Sequence, residues 1–118
     1  MFNTPKADAI RIRHMLDAAQ EAVSFAVGHT REDLDGNRML VLSLVKSVEI
    51  LGEAAAKVDP QTRLQFPSIP WQVIVAMRNR LIHGYFDINL DVVWATVTDD
   101  LPPLIAELKN IPLAGLDN

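Results

Sequence analysis

Leu40, Leu44, Val48, Leu51 and Ala55 recur at steps of three and four. On a helix of about 3.6 residues per turn these positions fall on one apolar stripe, which has to be covered by another element. The spacing therefore predicts a long helix over roughly Arg38 to Val58, packed against other helices. Gly52 stands beside Ala54, Ala55 and Ala56, and so little bulk would let a second helix approach closely there. Asp59-Pro60 ends the segment.

The other segments read the same way. A first helix is expected from about Pro5 to Val27, with Thr4 as cap and Pro5 preset for the first helical position. Ile10, Met15 or Leu16, Ala19, Val23 and Val27 would form its apolar face, and Gly28 its stop. Thr30-Arg31-Glu32-Asp33 has the start signature of a short helix, with acidic residues in the first turn, and Asp35-Gly36-Asn37 reads as a turn. Pro67 and Pro70 bracket a loop in which Ser68 would cap the next helix. That helix runs through Val73, Ile74, Met77 and Leu81 and ends near His83-Gly84. A final helix starts around Asn89, is kinked or broken by Pro102-Pro103, and resumes over Leu104 to Leu108. No segment alternates at period two and no hairpin turn joins such segments. The expectation is an all-α bundle of four to five helices, one domain over residues 1–111, with a loose tail over 112–118.

Composition removes several function classes. The chain of 118 residues has no cysteine, so disulfide frameworks and thiolate metal sites are excluded. No basic segment followed by an apolar run opens it, and its apolar runs fall short of a membrane span, so a cytoplasmic protein without a membrane partner is expected. The formal net charge of −4 argues against a general nucleic-acid coat, because phosphate affinity comes mainly from Lys and Arg. Any RNA contact has to be local.

Arg78-Asn79-Arg80-Leu81-Ile82-His83-Gly84-Tyr85 is where such a contact could form. A permanent cation, a carboxamide, an imidazole that titrates near neutral pH and a phenol suit chemistry on a phosphodiester. On a continuous helix Asn79 and His83 share a face, whereas Arg78 and His83 diverge by about 140°. Three arrangements would reunite them: fraying of the helix at Gly84, a long Arg side chain curling round, or a second copy of the chain. The plainer reading is that Arg78 and His83 are cations at a helix C-terminus, Gly84 a stop and Tyr85 a packing residue. Arg80 is a candidate RNA contact, although exposed arginines on a helix are usually just solvated. Glu49 and Glu53 with Lys46 and Lys57 read as a helical charge ladder. No carboxylate accompanies His83 at ligand spacing, so no metal or other cofactor is expected. His14 and His29 are isolated, and Trp71 and Trp94 read as core anchors.

Arg78-x4-His83-x-Tyr85 resembles the Arg-x4-His-x-Tyr signature of the HepT-like branch of the HEPN superfamily. These are toxin components of toxin–antitoxin pairs, of the type VII kind, whose partner is a minimal nucleotidyltransferase. Val48-Glu49-Ile50-Leu51-Gly52-Glu53-Ala54-Ala55 is similar to the family's glycine-containing second-helix segment, with Leu51 where isoleucine is commoner. Phe66-Pro67-Ser68-Ile69-Pro70-Trp71 resembles its proline-rich lead-in. Leu90-Asp91-Val92-Val93-Trp94 and Leu101-Pro102-Pro103-Leu104 resemble its final helix.

The resemblance implies a HEPN-type bundle forming a two-fold homodimer with both motifs facing a shared cleft. It implies a metal-independent endoribonuclease with Arg78, Asn79 and His83 as the catalytic set. It further implies that Tyr85 is adenylylated by a cognate nucleotidyltransferase antitoxin, with a larger hetero-complex as an option. The alternative of a different class is a non-catalytic HEPN subunit that binds nucleotide or acts as scaffold for a nucleotidyltransferase.

Overall fold

The apolar stripe of the second long helix is buried: Leu44, Val48, Leu51 and Ala55 are 0% exposed and Leu40 7%. The computed structural model describes residues 2–83 and 87–113. In chain order they form α1 (Lys6–Ala26), α2 (Asp33–Gly36), α3 (Arg38–Ala56), α4 (Pro60–Gln65), α5 (Trp71–Leu81), β1 (Ile82–His83), β2 (Asp87–Ile88), α6 (Leu90–Ala95), a π-helical turn (Thr96–Asp100) and α7 (Leu101–Lys109). The fold is mostly helical, as the periodicity requires. α3 is its central rod: α1 packs along one side and α5 along another, while α7 and the π-helical turn close over α1. Among the described residues no helix is long and apolar enough to cross a membrane.

Gly52 is a point of close approach between α3 and α5. A Cβ built there would lie 3.2 Å from the Ile74 carbonyl oxygen and 3.5 Å from that of Val75. The absence of a side chain lets the two backbones nearly touch, which is the approach expected from the Gly and Ala cluster.

The inward face of α1 differs from expectation. Ile12, Met15, Ala19 and Ala22 are fully buried, whereas Ile10 is 36% and Val27 73% exposed. Apolar residues occur around much of this helix, and the neighbours α3 and α7 select which ones face inward. Val27 lies past the end of the helix, and Gly28 follows in the left-handed region at φ 80°, where glycine is unstrained. The N-cap is Pro5, without a side-chain cap, in place of Thr4.

Other caps fall on polar side chains. Asn37 accepts from the Leu40 N–H at 3.0 Å, and Asn89 from the Val92 N–H at 3.1 Å. The Asp33 carboxylate accepts from the Thr30 N–H at 2.9 Å and lies 3.1 Å from Nδ1 of His29, so His29 is not isolated. These bonds, the Thr30 one foremost, hold the Asp33 carboxyl below its ordinary range. Arg31 links the approach to α2 with α6, donating through Nε to Asp91 at 2.6 Å and through Nη1 to Asp35 at 3.0 Å.

The helix α4 was not expected. Asp59-Pro60 reads as the end of one helix, yet Asp59 caps the next by accepting from the Gln61 N–H at 2.9 Å, with Pro60 in its first turn. Asp8, 6% exposed, fastens α4 to α1. Its carboxylate accepts from the Asp59 N–H at 3.1 Å and from the Thr62 hydroxyl at 2.6 Å. Ser68 does not cap α5; its hydroxyl donates to Glu107 at 2.9 Å, and Pro70 holds the N-cap position.

Pro102 and Pro103 do not break the last helix. The Leu101 N–H donates to the Thr96 carbonyl, five residues back, so the preceding turn is widened. The prolines then occupy the first turn of α7, and both Asp100 and Leu101 keep helical dihedrals. A ring without an N–H is tolerated there because the π-helical turn absorbs the missing bonds. Trp71 is a buried anchor at 7% exposure, while Trp94 is half-buried. Beyond α7, Ile111 and Leu113 are buried in the core.

Candidate active site

The candidate residues sit where α5 stops. α5 ends at Leu81, which is fully buried, and Ile82 adopts extended dihedrals of φ −123° and ψ 120°. Ile82 pairs with Ile88 and His83 with Asp87 in a short antiparallel ladder. The Asn89 N–H donates to the Leu81 carbonyl at 2.7 Å and closes its base. Both isoleucines pack half-buried against the core, and β-branched residues favour this pleated geometry. His83 and Asp87 are exposed.

This ladder corrects the expectation that no strand is present. Its paired segments are two residues each, shorter than any window in which period-two alternation can be recognised. It also corrects the helical relation drawn between Asn79 and His83. Asn79 lies on α5, whereas His83 has left the helix, so the two do not share a helix face. Tyr85, with Gly84 before it, lies outside the described residues.

Arg78, Asn79 and Arg80 are exposed on the last turns of α5. Positions two apart differ by about 200° around a helix, so Arg80 points away from Arg78. Arg78 is held from α3: its Nε donates to Oε2 of Glu49 at 3.0 Å. The other oxygen of that carboxylate lies 3.4 Å from the Lys46 ammonium. The Lys46–Glu49 pair is the rung that the charge ladder predicted; the link to Arg78 was not predicted. The bond from Arg78 is the main cause that holds the Glu49 carboxyl below its ordinary range, opposed by partial burial.

The sequence carried half of a signal for this contact. Glu49 lies one turn before Gly52, where close approach of another helix is expected, and it projects beside whatever packs there. Arg78 lies one turn beyond Ile74 and Val75, the residues that Gly52 meets. One turn back on α3 thus corresponds to one turn forward on α5, so the helices run antiparallel.

Arg78, Asn79 and His83 all have exposed side chains. A groove of about 530 Å³, lined by Pro60, Leu64, Pro67, Trp71 and Val73 among others, lies at the opposite end of α5. Among the described residues no group of three or more His, Asp or Glu side chains could hold a metal ion.

The sequence matches the family model described as Ribonuclease HepT-like over residues 15–111. The chain belongs to the HepT-like ribonuclease family. The match begins within α1 and takes in every later element, so the central rod and the end of α5 both lie inside it. The chain is 30% identical over 95 residues to a protein of Methanocaldococcus jannaschii, covering 80% of this chain and 87% of that one. It is 31% identical over 100 residues to one of Caldanaerobacter subterraneus subsp. tengcongensis, covering 85% and 89%. With a protein of Thermococcus cleftensis the identity is 30% over 100 residues, covering 81% and 91%. All three carry provisional ribonuclease names, and the third is named HepT. No solved structure matches.

Proposed function

We propose that this member of the HepT-like family is a metal-independent endoribonuclease in which Arg78, Asn79 and His83 act on the phosphodiester. One observation carries the reading. In a chain of a ribonuclease family, the helix bearing Arg78 stops two residues before His83, so an exposed guanidinium and an exposed imidazole emerge from the same end of one element.

RNA contains its own nucleophile. His83 takes the proton of the 2′-hydroxyl or delivers one to the departing 5′-oxygen. The 2′-oxygen bonds to phosphorus, the bond to the 5′-oxygen breaks, and a 2′,3′-cyclic phosphate remains. The fork of Arg78 stabilises the charge on the pentacoordinate phosphorane. Asn79 serves the phosphate rather than the imidazole, since it shares no helix face with His83.

The exposure of all three side chains favours a two-fold homodimer as the complete enzyme. Met39, Leu42 and Ile50 are 82%, 45% and 38% exposed and lie within about 80° of one another on α3. Val75 is 39% exposed on α5, whose backbone meets α3 at Gly52, and the Glu49–Arg78 pair joins the same two helices. Two copies meeting near there would bring two His83 side chains to one cleft and divide the acid and base roles.

In this reading the protein is the cytoplasmic toxin of a type VII-like pair. Its nucleotidyltransferase antitoxin silences it by adenylylating Tyr85, two residues from His83, which adds a bulky anion that competes for Arg78.

The test is cleavage of RNA by the purified protein in a chelator. Cleavage leaving 2′,3′-cyclic ends, abolished in His83→Ala and Arg78→Ala while both remain folded, is the expected result. A need for divalent ions, or undiminished cleavage by His83→Ala, would overturn it. For the switch, Tyr85→Phe should escape silencing by the cognate nucleotidyltransferase.

A further inference from the structure

We propose that Glu49 is a positioning residue for Arg78, holding its guanidinium in the orientation that the transition state uses. The inference rests on the ribonuclease reading above and adds a residue from a different helix to it.

The contact is directional. Glu49 accepts from Nε–H of Arg78 at 3.0 Å, which occupies the root of the guanidinium fork. The four N–H bonds of the two Nη atoms take no part in that contact, and a pair of them forms the parallel donor set that suits a phosphate. The exposures are asymmetric in the same sense. The Glu49 side chain is 25% exposed and that of Arg78 49%, so the carboxylate belongs to the wall and the cation to the surface. Lys46 on the second oxygen of Glu49 steadies the carboxylate from its own helix.

The backbone supports the geometry. Gly52 brings α3 within van der Waals range of the Ile74 and Val75 backbone, so the separation of the helices is set by main chain. An arginine without such a partner samples many rotamers and has to be ordered at each encounter with substrate.

The carboxylate also offsets part of the Arg78 charge before substrate arrives. Removing Glu49 therefore has opposite effects on binding and on rate. Ground-state attraction to RNA is kept or strengthened, while orientation in the transition state is lost.

The test compares the full-length wild type with Glu49→Ala and Glu49→Gln in steady-state RNA cleavage and in the ¹H–¹⁵N signal of Arg78 Nε–H. Expected are a kcat lowered about tenfold or more in Glu49→Ala, a KM that is unchanged or lower, and loss of the Nε–H signal. Glu49→Gln, which keeps an acceptor oxygen and the side-chain volume, should recover part of kcat. It also keeps the test decisive if Glu49→Ala unfolds. An unchanged kcat overturns the proposal, as does a raised KM at constant kcat, which marks a binding contact only. If the wild type does not cleave RNA, the ribonuclease reading fails and the signal alone decides the positioning. Its loss in Glu49→Ala upholds the orienting contact, and its persistence overturns it.

Discussion

Glu49 of α3 accepts a hydrogen bond from Nε of Arg78 of α5 at 3.0 Å, which joins the central rod of the bundle to the helix end where His83 emerges. The two residues are 29 positions apart in the chain. The contact depends on the antiparallel packing at Gly52, and it has consequences for stability as well as for activity.

The first concerns pH. Arg78 holds the Glu49 carboxyl below its ordinary range in the folded protein. A depressed folded pKa stabilises the fold above the unfolded value of about 4.3, and that contribution is lost as the pH falls through the folded value. Wild type should therefore exceed Glu49→Gln in urea stability at neutral pH by about 1 kcal/mol or less, because the pair is partly exposed. The gap should close on acidification below about pH 4.3. A gap that widens in acid would contradict the sign.

Gly52→Val should destabilise the protein by about 1–3 kcal/mol. A Cβ alone would already lie 3.2 Å from a backbone carbonyl of α5, and the branched side chain forces the helices apart. Gly52→Ala should change little, since the tight contact offsets a helix-propensity gain of up to about 1 kcal/mol. Thermal unfolding of both variants checks this.

Asp8→Ala should cost about 2 kcal/mol or more, because the Asp59 N–H and the Thr62 hydroxyl lose their shared acceptor. Asp8→Asn, which retains one acceptor oxygen, should cost less. Denaturant midpoints of the two variants decide the order.

Arg78→Lys should keep most RNA affinity and lose at least about tenfold in kcat, since an ammonium keeps the charge without the fork. Equal rates for the two proteins would remove the case for a bidentate role.

Local chemistry determined much of this protein in the sequence alone. The stripe through Leu44, Val48 and Leu51 specified a buried helix, because a period near 3.6 has one folded solution. Gly28 specified a stop, since a Cβ is strained at its left-handed φ, and Gly52 a close approach, since a Cβ there would crowd the facing backbone. The family signature at Arg78 and His83 was legible for the same reason: it lies within a few residues.

Tertiary structure decided the rest. Which side of α1 faces inward, leaving Ile10 exposed and Ile12 buried, depends on where α3 and α7 lie. That the chain leaves the helix at Ile82 follows from its pairing with Ile88, too short a ladder to announce itself in a pattern. The partner of Arg78 is a carboxylate on another helix, and Glu49, three residues after Lys46 in the sequence, already had a local explanation. Periodicity fixes which residues share a side of one element. Only packing decides which element that side meets.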